Sequence, residues 1–230
     1  MSWVSKMYKC CGMRFSQLKH KPVLDSEGTK IGKVDDFIVE ISEKEVVLKS
    51  VVIAGGRIEE IMESIGIKPD KDPIFQMDCI SSIDEEVNLS VPANSLKNTL
   101  DEGAVGENEM RLSKLAKIRV YDSDGFRIGT VIDIWYDIEG KPWLVLGGGF
   151  IEETLEKVGV QPDIDLLVPM AFIENISKEK IQLKYSKFQL ESTCEDEYEK
   201  VKRQVSSRHE PKDPRAETLR LSPRPHRSTV

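Results

Sequence analysis

Four aspartates stand at matched places in this chain: Asp25 and Asp36 in "LDSEGTKIGKVDDFIVE", residues 24–40, and Asp122 and Asp133 in "YDSDGFRIGTVIDIWYD", residues 121–137. Paired carboxylates across a cleft do general acid and base work in glycoside hydrolysis, and carboxylates converging on one cation make a hydrolytic metal site. Against both stands a local reason for the same residues. An Asp with a Gly three positions on is ordinary hairpin chemistry, because Gly supplies the positive φ that Ser or Glu adopts only at a cost. The pair occurs in both phrases, which argues for a folding requirement. Asp25, Gly28 and Gly32, and likewise Asp122, Gly125 and Gly129, are therefore read as structural turn residues, with Gly32 and Gly129 marking a bulge or tight bend.

The remaining chemistry-bearing residues form no catalytic, cofactor or metal set. "DSDG" lacks the twelve-residue spacing and closing Glu of a calcium loop. "GGG" at 147–149 has no Lys-Ser or Lys-Thr after it, and the segment that follows opens with acids that repel phosphate. The three histidines, His20, His209 and His226, lie near the two ends, outside the repeated phrases. Cys10, Cys11, Cys79 and Cys194 give one adjacent pair and two singles, neither a zinc pattern nor a disulfide framework. Cys10 and Cys11 beside basic residues are open to lipid attachment or to being plain reduced thiols.

The elements that position these residues are written twice. From Asp25 and from Asp122, twelve positions align without a gap and seven are identical. "IEEIMESIGIKP" at 58–69 then matches "IEETLEKVGVQP" at 151–162 at six of twelve positions. The spacing falls from 97 to 93 residues between the two blocks, a length change that belongs in a loop. Each copy reads as strand, Gly turn, strand, a branched strand ending in Gly ("VVLKSVVIAG", "PWLVLGGG"), one short amphipathic helix stopped at Gly66 or Gly159, and further short strands. The expected fold is mainly β: two tandem small β-barrels, each with one short helix, plus a disordered basic C-terminal tail. The boundaries are a basic arm at 1–17, barrels at 18–96 and 113–188, a linker at 97–112, and the tail at 189–230.

With 39% hydrophobic and 32% charged residues, the composition suits modest cores under a charged surface. No apolar run approaches the roughly 20 residues of a membrane span, and the first twenty residues lack a signal-peptide core, so the expected location is cytoplasmic. The net charge of −7 hides a division. Residues 1–20 hold four basic and no acidic side chains, residues 200–230 nine basic against three acidic, and residues 21–190 twenty basic against thirty-two acidic. An acidic body therefore lies between basic ends. Those ends offer weak contact with an anionic membrane or nucleic acid. The tail carries Arg215, Leu219, Arg220, Leu221 and Arg224 in "RAETLRLSPRP", a pattern that suits a docking peptide as well as plain solvation. Trp135 and Trp143 complete the candidate partner-binding residues. Alternation buries Ile134 and Tyr136 and leaves Trp135 on the other face, as a contact anchor or as a residue covered by the other barrel.

The entry "V-x-D-x-x-G-x-x-I-G-x-V-x-D", with about 75 residues of short strands behind it, resembles the PRC-barrel domain. That domain is found in the photosynthetic reaction centre H subunit, in a bacterial ribosomal RNA maturation factor and in archaeal cell-division proteins. The matching positions are Asp25, Gly28, Ile31, Gly32, Val34 and Asp36, then Asp122, Gly125, Ile128, Gly129, Val131 and Asp133. The resemblance implies a docking module with no catalytic residue to carry over, most like archaeal members. The expected function is a non-enzymatic adaptor or scaffold that binds protein partners, cell-division proteins among them, with recruitment to the membrane or division site and self-association left open. The alternative is an RNA-processing or ribosome-maturation factor, which the acidic body disfavours because it repels a phosphate backbone.

Overall fold

The phrase "DSEG" reverses the chain tightly enough for the residues on either side to pair. Asp25 N donates to Thr29 O at 3.0 Å, and Gly28 N donates to Asp25 O at 3.0 Å with Gly28 at φ +75°. "DSDG" repeats this geometry: Asp122 N donates to Phe126 O at 2.9 Å, Gly125 N to Asp122 O at 3.1 Å, and Gly125 has φ +83°.

A computed structural model describes residues 12–42, 45–67, 71–96, 98–101, 105–137, 141–148, 150, 153, 164–193 and 220–223. The first repeat runs β1 (Met13–Arg14), α1 (Phe15–Leu18), β2 (Pro22–Leu24), β3 (Lys30–Ile41), β4 (Val46–Ala54), α2 (Ile58–Ser64), β5 (Lys71–Gln76), β6 (Ile80–Ile83), β7 (Val87–Leu89) and β8 (Asn98–Asp101). The second runs β9 (Glu109–Arg111), α3 (Leu112–Leu115), β10 (Arg119–Tyr121), β11 (Arg127–Tyr136), β12 (Pro142–Gly147), β13 (Ile164–Pro169), β14 (Ile173–Ile176) and β15 (Lys180–Leu183), with β16 (Arg220–Pro223) far downstream. Two sheets of one topology result, in the orders β6-β7-β2-β3-β4-β5-β8 and β14-β15-β10-β11-β12-β13-β16. In both, the strand that leads into the hairpin takes a later strand of the same repeat in parallel, β7 on β2 and β15 on β10.

The second glycine of each phrase lies at a bulge. Val23 pairs with Gly32 and Leu24 with Lys30, so Ile31 is the extra residue; Val120 pairs with Gly129 and Tyr121 with Arg127, so Ile128 is. Both isoleucines are fully buried, and they join Val34 and Phe37 in one core, Val131 and Ile134 in the other. A Cβ on Gly32 would lie 2.7 Å from Gly55 O and 2.7 Å from Ile53 Cγ2. Backbone cannot yield there as a flexible side chain would. Gly32→Ala is expected to cost about 2 kcal/mol of stability, read from the urea midpoint.

By spatial proximity the chain divides into two compact units, Met1–Leu115 with Trp135–Pro142, and Ala116–Ile134 with Trp143–Val230. This division does not follow the repeats. "MRFSQL" at 13–18 is repeated as "MRLSKL" at 110–115, identical at four of six positions. Each copy of the hexapeptide pairs with the long strand of the other repeat: Met13 opposite Tyr136 and Arg14 opposite Trp135, and Met110 opposite Val39 and Arg111 opposite Ile38. Both pairings fall within the first unit. The Arg111 guanidinium bridges Asp72 Oδ2 and, at 3.6 Å, Asp35 Oδ2, with its side chain 11% exposed. Phe15 of α1 meets Phe37 edge-on at 6.2 Å, seating the short helix on the core.

Three expectations change. The stretch 97–112, expected as a linker, supplies β8 and β9, and residues 13–17 of the expected arm fall in β1 and α1. An unpaired strand edge accepts any backbone able to extend, so these strands need no apolar pattern. Within the tail, residues 189–193 continue a helix that starts at 187 and 220–223 form β16, while Arg215, Leu219 and Arg224 lie outside the described residues. The helix expected at 58–69 is α2, ended by Gly66 at φ +78°; most of its counterpart at 151–162 lies outside the described residues.

Candidate interaction surfaces

The aspartates that could have been reactive carboxylates are occupied by the fold. Asp25 Oδ1 accepts from Glu27 N at 3.0 Å and Thr29 N at 2.9 Å, and its Oδ2 accepts from Ala93 N at 3.3 Å. Asp122, 1% exposed, does the same: Oδ1 accepts from Asp124 N at 3.0 Å and Phe126 N at 2.7 Å, Oδ2 from Lys187 N at 2.8 Å. Each carboxylate thus shapes its own hairpin with one oxygen and ties down the segment after the last strand with the other. Asp36 accepts from Phe37 N at 2.8 Å and from both the backbone N and the hydroxyl of Ser113, anchoring the start of α3. Asp133 accepts from Ile134 N at 2.8 Å. Among the described residues no three His, Cys, Asp or Glu side chains come together as a cation would require, and no helix is long and apolar enough to cross a membrane.

The Asp122–Lys187 bond also builds a surface on the second unit. Where the first hairpin has Thr29, the second has Phe126, 49% exposed. Its ring meets the buried Phe150 edge-on at 6.2 Å. Lys187 Nζ lies 4.7 Å from the centre of the Phe126 ring and 4.6 Å from that of Phe150, a cation–π arrangement over both. Phe188 follows at 74% exposure. An exposed ring under a cation, with a second exposed aromatic at the next position of the chain, has the composition of a contact surface. Trp143 does not contribute: it is 5% exposed, because β12 from Trp143 to Gly147 is covered on both faces. Trp135 is half-buried, paired opposite Arg14. The aromatic surface was not foreseen; its one sequence signal is the Thr29-to-Phe126 exchange inside otherwise matched turns.

A comparison with family models matches residues 12–72 and 107–190 to the PRC-barrel domain, more than half of the chain. The chain belongs to the PRC-barrel family. PRC-barrel domains serve as protein–protein interaction modules. Both matches take in the opening hexapeptides at 13–18 and 110–115, so the sequence unit of the PRC-barrel begins before the hairpin phrase. A search of curated proteins finds no match.

The two PRC-barrel sheets end alike. On the first, β8 closes the outer edge of β5, with Lys71 opposite Asp101 and Ile74 opposite Asn98. On the second, β16 closes the outer edge of β13, with Ile164 opposite Pro223 and Leu167 opposite Arg220. Of the tail residues read as partner-binding, Arg220 and Leu221 therefore pair with the chain's own sheet.

Proposed function

We propose that this chain is a non-enzymatic adaptor whose PRC-barrel domains hold protein partners, with the Phe126–Phe188 surface of the second as a principal contact. The observation that carries the reading is that surface: the exposed Phe126 ring under the Lys187 cation, with exposed Phe188 next in the chain, and the backbone of Phe126 and Lys187 tied together by the buried Asp122 carboxylate. An aromatic anchor in a well-packed interface contributes about 2 kcal/mol or more. The carboxylates engaged by backbone N–H groups support a role without catalysis. The resemblance to archaeal members supports a cytoplasmic protein recruited to a division or membrane-associated assembly, where the basic ends would add salt-sensitive attraction to an anionic surface.

The test is a pull-down from native extract, read by mass spectrometry with and without nuclease, comparing the wild type with the Phe126→Thr, Phe188→Ser double variant. Phe126→Thr installs the residue that the first repeat carries. The expected result is a set of nuclease-resistant protein partners whose recovery falls at least tenfold in the variant, with the unfolding midpoint changed little because both side chains are exposed. Partners that survive the double substitution unchanged would remove this surface from the proposal. Partners lost on nuclease treatment would move the reading to RNA maturation.

A further inference from the structure

The two sheets close the same edge with strands from different places in the chain. The four register positions on β5, Lys71 to Ile74, correspond through the repeat to Ile164 to Leu167 on β13, and both sets are fully paired. The pairing segments agree at no matched register position: "NTLD" covers one edge and "RLSP" the other. Recognition therefore runs through the backbone ladder, the mode by which exposed sheet edges take up extended peptides. What differs is the tether. β8 begins after eight intervening residues, 90–97, whereas β16 begins after thirty-six, 184–219. β16 is thus joined to its sheet by a longer connection than β8 and held on it by four register positions.

We propose that the outer edge of β13 is a strand-addition site, that residues 220–223 are its resident internal ligand, and that an extended segment of a partner protein displaces them. The incoming segment has the chemistry of the resident one, an apolar residue between basic positions that ends at a proline. The charge of the molecule fits that choice, since residues 21–190 hold thirty-two acidic against twenty basic side chains. Proline at the end of β16 suits the terminus of an edge strand, where the missing N–H breaks no ladder further on. This inference rests on the adaptor reading and adds to it a second contact, one that the unliganded protein keeps covered. An edge closed in this way is also protected from pairing with other sheets.

The experiment uses a fluorescent synthetic peptide with the sequence of residues 217–227 and the full-length chain, either wild-type or carrying Leu221→Pro with Ser222→Pro. Adjacent prolines remove the ladder donor whichever of the two positions faces β13. Saturable binding to the variant, about tenfold tighter than to the wild type, and no binding of a peptide with the same two prolines, is the expected result. Equal binding to both proteins, or none to the variant, overturns the inference. If the double variant does not fold, both single prolines are made, and the one at the position whose N–H faces β13 serves. Light scattering on the wild type adds one more outcome: a dimer that dissociates in the variant would make a second copy the occupant and overturn internal pairing. The two proposals fail separately. Loss of peptide binding with the pull-down partners intact refutes only the edge site, and peptide binding without any protein partner refutes only the adaptor reading.

Discussion

Replacing Arg111 by Met is expected to lower the unfolding free energy by about 4 kcal/mol, the largest loss of any single change considered for this chain. The guanidinium is 11% exposed and forks between Asp72 and Asp35 in the first compact unit. Most of the cost comes from the Asp72 pair, whose two side chains are 11% and 19% exposed, so the attraction lost there is little screened by water. Asp35 is 41% exposed, and its share is small because water screens it. Removing both charges should cost less than removing one. The double variant Arg111→Met, Asp72→Leu is therefore expected to recover at least half of the loss, since replacing both members of a buried ion pair by apolar side chains costs less than removing one. Urea unfolding of the two single variants and the double variant reads all three values. A loss below about 1 kcal/mol for Arg111→Met would mean that the fork is held loosely enough for water to replace it.

The second large effect is expected at Asp122. Its two oxygens accept three backbone N–H groups, two within the hairpin and one from Lys187, sixty-five residues on. Hydrogen bonds to a buried charged acceptor contribute about 1.5–3 kcal/mol each, but the hairpin donors reach water once the carboxylate is gone. Asp122→Ala is therefore expected to cost about 3 kcal/mol rather than the full sum. Asp122→Asn keeps one carbonyl acceptor and should lose roughly half as much. The two variants separate the roles: Asn can still shape the turn through one oxygen, while its NH2 cannot accept from Lys187. If Asp122→Ala unfolded at the wild-type urea midpoint, the hairpin would be forming without its carboxylate, and the recurrence of that residue in both phrases would need another cause.

How much of this was legible follows from how local each signal is. The hairpins were readable because Asp, Gly and the bulge lie within a dozen residues, and turn chemistry acts over that distance. The short helix α2 was readable from the three-and-four spacing of Ile58, Ile61 and Met62 and from Gly66 at its end. β1 and β9 were not, since two or three residues carry no period; they exist because a strand remote in sequence offers an unpaired edge. β8 and β16 escaped for the same reason. Trp135 and Tyr136 alternate in burial as period-two reasoning expects, but Trp143 does not face outward, because the composition of β12 does not reveal that both of its faces are covered. The Phe126 and Phe188 surface joins a turn to a helix sixty residues later, a proximity that only the tertiary fold supplies.

The exchange of the opening hexapeptides sets a timetable for synthesis. The first compact unit includes Trp135–Pro142, and β3 needs Glu109–Arg111 for its far end. A ribosome that has just finished the first repeat therefore holds a nascent chain with an uncovered strand in β3 and with no place for Met13 and Arg14 to pair. Completion waits until the second hairpin has left the exit tunnel. The second unit waits longer still, because its outer edge is closed by residues 220–223, made thirty-six residues after β15. Duplication has thus given a small protein two late-closing seams, and cutting the gene between its repeats would not release two finished domains.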